Sequence, residues 1–433
     1  MAIETPNAPT TRSQRIVGMR CRNCGGNQPI GLSYVCPACF GPLEVDYDYA
    51  VVGSTLTREA IAARAPGIWR YAELLPVDAP PARGLPVGST PLLPADRLAA
   101  ELGLDRLLIK DDTRNPTLSF KDRAVAVAAA RAVEFGVEAL ACASTGNLAG
   151  ATAAAAAVLG LPAYVFIPAD LEPAKIDHAL AYGATVVPIE GTYDDVNRLC
   201  LEVADETGWG FVNINLRPFY AEGSKTLAYE IAESLGWRSP DVVVAPIASG
   251  AMFTRVARGF EELVELGLIK RRPIRFVGGQ AAGCAPVGTA WAAGTDVIVP
   301  VRTPETIVRS LAIGSPADGR YAVELVNESG GSVESIEDEV TAAAIRDVAR
   351  LEGIYPETAG GVTLAAAAAA RRRGVIRDGD EVVALLTGNG LKTPDARSFG
   401  QAGDGVARPG QPGLAPAIKP SLSAFERWLG GAA

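Results

Sequence analysis

The chain of 433 residues has one histidine, His178. A lone imidazole excludes a multi-histidine metal centre, and no neighbouring motif supports a Ser-His-Asp engine. His178 therefore reads as a packing or surface residue. Positive charge is also in short supply: 40 Lys and Arg stand against 49 Asp and Glu, a net charge of −9. Nucleic-acid binding rests on clustered cations, so that class of partner is not expected, although a small anion still suits a locally positive pocket. The opening MAIETPNAPTTRSQ has neither the basic nor the apolar region of a secretory leader. Long uninterrupted apolar runs are missing too. AGATAAAAAVLGLPAYVFIPA and GGVTLAAAAAA are rich in alanine and glycine, and Pro162 breaks the first. They suit buried helices and strands rather than a membrane span. A cytoplasmic protein without a membrane partner is the expectation. The remaining composition, 48% hydrophobic and 21% charged, is ordinary for a globular chain long enough for roughly two or three cored domains.

Cysteine is scarce as well, seven in all, yet four are concentrated in CRNCGG and CPACFG. The spacing Cys21-x2-Cys24-x11-Cys36-x2-Cys39 is that of two zinc-ribbon knuckles. Four thiolates close a tetrahedral shell around a structural zinc, and the glycine after each pair permits a tight turn beneath it. A disulfide or a degenerate site is the competing reading. Around these residues Arg15, Arg20 and Arg22 are balanced by Glu44, Asp46 and Asp48, and a tetrathiolate zinc adds about two negative charges. Such a ribbon is a poor DNA reader and suits a structural appendage. Cys142, Cys200 and Cys284 stand apart and read as packing residues.

Beyond the ribbon, the short apolar runs RLLIK, ALACAS, AYVFIP, TVVPIE, DVVVAPI, IRFVGGQ and EVVALLTG alternate with helical stretches. That is the pattern of parallel sheets covered on both faces by helices. The fold class expected is α/β: two open parallel-sheet domains with the active site between them, plus an N-terminal zinc ribbon. The ribbon is expected over residues 15–50, a larger domain over 51–105 and 238–400, and a smaller one over 106–237. An extended tail with a short helix is expected over 401–433, where GQAGDGVARPGQPGLAPAIKP precedes the amphipathic SLSAFERWLG.

The chemistry concentrates in NPTLSFKDRA. Ser119 and Asp122 match a Ser-x-x-Asp capping box, which predicts a helix from Phe120 with Lys121 in its first turn. The positive end of the macrodipole disfavours an ammonium there, and the neutral amine is the form that makes Schiff bases with carbonyls. An ordinary surface lysine is the plain alternative. Ligands on open α/β sheets bind at the carboxyl ends of strands, and three such loops have suitable residues. In ACASTGNLAG a strand ends at Ser144, and Thr145, Gly146 and Asn147 lead into a helix. Hydroxyls, an amide and N–H groups gather there, to hold a carboxylate or a ring oxyanion, or simply to cap the helix. In DVVVAPIASGAMF the small Ala248, Ser249, Gly250 and Ala251, followed by Met252, let backbone N–H groups approach a phosphate. In VVALLTGNGLK, Thr387 either hydrogen-bonds a ring nitrogen or caps the turn made by Gly388 and Gly390.

Taken in order, the lysine, the asparagine loop, the small-residue turn and the terminal hydroxyl resemble the pyridoxal-phosphate enzymes of the tryptophan-synthase-β type. GSTPLL, NPTLSFKDRA, ACASTGN, EGSKTLAYEI, AIGSPA, EGIYPETAGG and TGNGLK are similar to the threonine synthase family, over a span from about Arg20 to Thr393. The resemblance implies that Lys121 carries pyridoxal 5'-phosphate as a Schiff base and then serves as the base at Cα and Cβ. It places Phe120 near the ring, Asn147 at the phenolic oxygen and Thr387 at the ring nitrogen as a neutral partner. Ala248, Ser249, Gly250, Ala251 and Met252 would hold the cofactor phosphate, and Ser144 and Thr145 the substrate carboxylate. Many relatives have a glycine- and asparagine-rich phosphate loop, whereas this chain reads Ala-Ser-Gly-Ala-Met, so donation there is expected from the backbone. For the substrate's own phosphate, NINLRPFYAEGSKT supplies Arg217 and Lys225, with Lys110 and Arg114 as further cations. Arg217 is favoured because a guanidinium binds phosphate bidentately.

The implied activity is conversion of O-phospho-L-homoserine and water to L-threonine and phosphate by a homodimeric lyase acting on a small phosphorylated amino acid. Two other readings are open at this level. β-Replacement on phosphoserine, as in cysteate synthases, uses a substrate one methylene shorter. A binding module built on an inactive body would be expected to lack Lys121 or to carry a basic ribbon face, and the sequence shows neither.

Overall fold

The computed structural model describes residues 15–33, 35–144, 146–169, 171, 173–191, 193–397 and 417–429. Among them three sheets form. The first is antiparallel and built from β1 (Ile16–Cys21), β2 (Asn27–Gln28) and β3 (Leu43–Tyr47), with β1 central. Ten further strands follow in the chain: β4 (Leu92–Pro94), β5 (Arg106–Asp111), β6 (Leu140–Ala143), β7 (Ala163–Pro168), β8 (Thr185–Ile189), β9 (Gly210–Phe211), β10 (Val242–Pro246), β11 (Arg275–Ala281), β12 (Ser332–Ile336) and β13 (Glu381–Leu386). The larger sheet has the order β12-β11-β10-β13-β5-β4, parallel except for β4 at its edge. The smaller one, β8-β7-β6-β9, is parallel throughout.

Successive side chains of a strand point to opposite faces, and here both faces are covered. Val243, Ala245, Val383 and Leu385 enter one core cluster, and Val242, Val244, Val382 and Ala384 the other. The smaller sheet repeats the device, with Leu140, Cys142 and Val165 on one side and Ala141, Ala143 and Phe166 on the other. Burial on both faces is what makes these strands continuous apolar runs in the sequence. β12 was not among the expected strands: SVESI carries polar residues at the sheet edge and pairs with β11 through its backbone.

One boundary shifts. β5 falls at the front of residues 106–237, the span expected for the smaller domain. It nevertheless pairs with β13 from Arg106↔Glu381 to Asp111↔Leu386, so its backbone belongs to the larger sheet. The antiparallel sheet packs Met19, Leu43 and Val45 into the same core as Ala128 and Phe219, and the Tyr47 hydroxyl donates to Glu222 at 2.8 Å. Cys142, Cys200 and Cys284 are buried. His178 is half-buried, its ring edge-on to Tyr182 at 5.4 Å. Residues from Ser398 onward form a second unit; within it the helix Leu422–Leu429 exposes Leu422, Phe425 and Leu429. The Gly/Pro-rich opening of the tail lies outside the described residues. Among the described residues no helix is long and apolar enough to cross a membrane.

Candidate active site

The helix Lys121–Glu134 starts at Lys121, with Phe120 as its N-cap and no side-chain capping bond. The expected capping box is therefore corrected. Asp122 accepts instead from the N–H and hydroxyl of Thr117, at 2.7 and 2.6 Å, and Ser119 Oγ is left buried without a partner. Burial pushes the Asp122 carboxyl up to about 6 against the pull of those two bonds. The turn before the lysine is laced to the loop after β13. Phe120 N–H donates to the Thr387 carbonyl at 2.9 Å, Asn389 N–H to the Leu118 carbonyl at 3.0 Å, and Lys392 Nζ to the carbonyls of Thr117 and Leu118 at 3.1 and 2.8 Å. Two motifs far apart in sequence thus form one platform under Lys121.

Beneath that platform lies a buried ion network. Arg123 donates to Asp112 at 2.7 and 2.9 Å and to Glu230 at 2.6 and 2.8 Å. Lys110 Nζ donates to Glu230 at 2.6 Å. Burial opposes the charge on Glu230, but Arg123 and Lys110 outweigh it and hold the carboxyl down at about 2. Lys110, considered above as a phosphate ligand, is fully buried here and ties β5 to the helix Thr226–Ser234. Arg114 pairs with Asp111 at 2.8 Å.

The carboxyl ends of both parallel sheets open onto one cavity of about 880 Å³, mouth included. Phe120, Lys121, Ser144, Asn147, the whole run from Ala248 to Met252, and Thr387 line it, so these residues of the expected set lie around one space. Thr145 lies outside the described residues. Lys121 Nζ donates to Tyr220 Oη at 2.5 Å and stands 4.8 Å from the Phe120 ring centroid. Ser144 Oγ accepts from the N–H groups of Gly146 and Ala149, each at 3.1 Å, so this hydroxyl shapes the start of the helix Asn147–Leu159. Gly250 caps the helix Ala251–Glu265 with φ +90 and no side-chain cap bond. A Cβ there would fall 2.7 Å from the Asp318 carbonyl oxygen, so only glycine fits. The uncapped helix start presents backbone N–H groups to the cavity, which suits a phosphate.

This donor set fits the phosphorylated pyridine aldehyde that the sequence resemblance implies. The cavity offers the Lys121 amine, the Asn147 amide, the Thr387 hydroxyl and an anion-binding helix start. Residues not singled out from the sequence complete the wall: Tyr193, Tyr220, Ser310 and Glu357. Glu357 accepts from Asn147 Nδ2 at 2.7 Å, and a Cβ at Gly388 would strike its carboxylate at 2.1 Å. Its motif, EGIYPETAGG, was visible in the sequence, but nothing there tied it to Asn147.

The two cations expected for a substrate phosphate separate. Arg217 begins the helix Arg217–Gly223 and pairs with Asp318 at 2.5 Å, and Asp318 N–H in turn donates to the Ser249 carbonyl at 2.8 Å. Arg217 is therefore tied through Asp318 to the phosphate-type loop. Neither Arg217 nor Lys225 is among the residues lining the cavity. The Lys225 ammonium is buried between Glu222 at 2.6 Å and Glu262 at 2.8 Å. Two carboxylates already neutralise it, and the expectation of a phosphate contact does not carry to this residue.

Cys21, Cys24, Cys36 and Cys39 gather with all four sulfurs within 4.8 Å of one another. The cluster sits next to the body of the protein: Arg22, between two of the cysteines, faces Asp318 at 3.8 Å and stacks 3.6 Å over the Tyr321 ring.

Known proteins resemble the chain at the level of family and fold. The profile of a family described as pyridoxal-phosphate dependent enzyme matches residues 84–388. Over 378 residues the chain is 36% identical to the threonine synthase of Methanosarcina acetivorans, covering 87% of this chain and 92% of that one. It is 36% identical over 380 residues to the threonine synthase of Methanocaldococcus jannaschii, covering 87% and 93%. Among solved structures, a fungal L-serine ammonia-lyase from Rhizomucor miehei shares the fold with a TM-score of 0.61 at 20% identity, covering 72% of this chain and 99% of that one. The processed form of threonine deaminase isoform 2 from Solanum lycopersicum shares it with a TM-score of 0.59 at 24% identity, covering 72% and 84%.

Proposed function

The chain belongs to the threonine synthases of the pyridoxal-phosphate dependent enzyme family, and on that premise we propose that its Lys121 cavity converts O-phospho-L-homoserine and water to L-threonine and phosphate. The observation that carries this reading is the convergence of Lys121, Asn147, Thr387 and the uncapped helix start at Gly250 on one cavity. When bound, pyridoxal phosphate supplies an aldehyde for the lysine and a conjugated ring that takes up electrons released at Cα.

The chain's own residues do the positioning and proton handling. Backbone N–H groups from Ala248 to Met252 hold the cofactor phosphate. Asn147 would meet the ring oxygen, Thr387 the ring nitrogen, and Phe120 would lie beside the ring. Ser144 and the N–H groups after it take the substrate carboxylate; Thr145 is assigned there by resemblance alone. Lys121 Nζ, as the free amine, accepts the proton from the substrate's Cα. A proton then leaves Cβ as phosphate departs from Cγ; a proton arrives at Cγ, water gives its hydroxyl to Cβ and its other proton to phosphate, and a proton returns to Cα. Arg217, tied to the loop through Asp318, is the guanidinium for the substrate phosphate. Closure of the smaller domain keeps water out until elimination is complete.

A structural zinc on Cys21, Cys24, Cys36 and Cys39 belongs to the same reading. Two sulfur pairs stand at 3.4 and 3.8 Å. A disulfide needs about 2.05 Å, whereas a tetrahedral zinc with Zn–S near 2.3 Å separates its sulfurs by about 3.8 Å. A homodimer follows from the family resemblance. A cytoplasmic setting is supported by seven cysteines that are all unbridged.

Offering the purified enzyme O-phospho-L-homoserine and, separately, phosphoserine with a β-nucleophile tests the substrate. Threonine and phosphate from the first alone supports the proposal. Phosphate release and a β-replaced product from the second alone would favour the cysteate-synthase-like chemistry and sink it.

A further inference from the structure

Lys121 Nζ donates to Tyr220 Oη at 2.5 Å. The phenol stands on the helix Arg217–Gly223, which packs closely on the helix carrying the lysine: a Cβ at Gly223 would fall 2.2 Å from the Arg123 carbonyl oxygen. Helix contact, rather than a loop, therefore sets the register of amine and phenol. Tyr220 is 8% exposed and lines the cavity with Tyr193 and Ser224. Because its oxygen accepts from Nζ, the phenol's own O–H is left to donate into the cavity.

The reaction moves more protons than one amine carries. Protons leave Cα and Cβ, and protons arrive at Cγ and again at Cα. Water gives its hydroxyl to Cβ and its remaining proton to the departing phosphate. A lysine holding the α-proton is an ammonium, and it accepts no second proton until the first has moved on.

We propose that Tyr220 is a catalytic residue that relays that proton. Its Oη takes a proton from Lys121 Nζ while its O–H passes one to a phosphate oxygen of the substrate or to water in the cavity. One N–H bond and one O–H bond break as two O–H bonds form, the phenol is unchanged, and Nζ returns to the neutral amine. Run in reverse, the same relay recharges Nζ for delivery to carbon. The proposal rests on the assignment of Lys121 above.

The test uses the holoenzymes of wild type, Tyr220→Phe and Tyr220→Gln with substrate deuterated at Cα, in ordinary water. Cofactor absorbance, KM, kcat and deuterium at Cα of the substrate recovered at partial conversion are measured. The relay predicts a wild-type spectrum and KM, kcat lower by about 10²- to 10⁴-fold, and deuterium retained at Cα of the recovered substrate in both variants, since a deuteron that cannot leave Nζ can only return to Cα. Wild type releases the label to solvent. Wild-type kcat, or label lost as in wild type, would overturn the relay. So would loss of the cofactor in both variants, which would make Tyr220 a binding residue. Borohydride reduction of the wild-type holoenzyme is the separate control: a label on another lysine removes the Lys121 assignment, and the relay with it.

Discussion

Asn147 Nδ2 donates to Glu357 Oε1 at 2.7 Å, joining two residues 210 positions apart. Glu357 is 3% exposed and precedes the helix Thr358–Arg372, and its N–H donates to the Gly388 carbonyl at 2.8 Å. The carboxylate is thereby fixed, and it orients the amide assigned to the cofactor ring oxygen. Glu357→Gln keeps the shape but replaces a charge-assisted bond with a neutral one, a difference of about 1.5 kcal/mol. The expected result is kcat/KM lower by roughly tenfold with a shifted absorbance maximum of the bound cofactor. An unchanged spectrum would separate Glu357 from the ring.

Glu230 anchors the helix that carries Lys121. Its carboxyl is held at about 2, below its ordinary 4.5, because Arg123 and Lys110 outweigh burial. The stabilisation is complete above pH 4.5 and is lost as pH falls through about 2. Glu230→Gln strands two buried cations, so urea unfolding at neutral pH should show a loss of roughly 3–5 kcal/mol. The gap to wild type should narrow as pH falls from 4.5 toward 2, where the wild-type carboxyl is itself protonated. A gap that widens on acidification would contradict the assignment.

Arg217 and Lys225 lie eight positions apart in one motif, yet only Arg217 is tied, through Asp318, to the phosphate-type loop. Arg217→Met should raise KM for the phosphorylated substrate by roughly 10- to 100-fold, the worth of charged hydrogen bonds. The absorbance of the bound cofactor should not change. An unaltered KM would remove Arg217 from the substrate site.

These contrasts show what sequence carries and what it does not. β10 and β13 were legible because burial on both faces leaves an unbroken apolar run. β12 was not, because an edge strand tolerates SVESI. The lysine turn, the asparagine loop and the threonine after β13 were legible as motifs at strand ends. The partners that orient them were not, since Tyr220 and Glu357 meet Lys121 and Asn147 only through folding across 99 and 210 positions. Lys225 misled because a local window shows its charge and Glu222 three positions before it, but not Glu262, 37 positions on, nor the burial that locks the three together.

The cysteine cluster predicts about one zinc per chain by elemental analysis. Cys39→Ser, or a strong chelator, should release the metal and lower Tm, because a structural zinc held by these four thiolates would contribute its binding energy to folding. The visible absorbance of the bound cofactor should persist. Metal-free protein of undiminished stability would leave the four sulfurs without a role for zinc.

Borohydride reduction of the holoenzyme followed by peptide mapping tests the central assignment most directly. The account predicts one pyridoxyl label, on Lys121 within NPTLSFKDRA. A label on another lysine, or an unlabelled Lys121 in active enzyme, would contradict it.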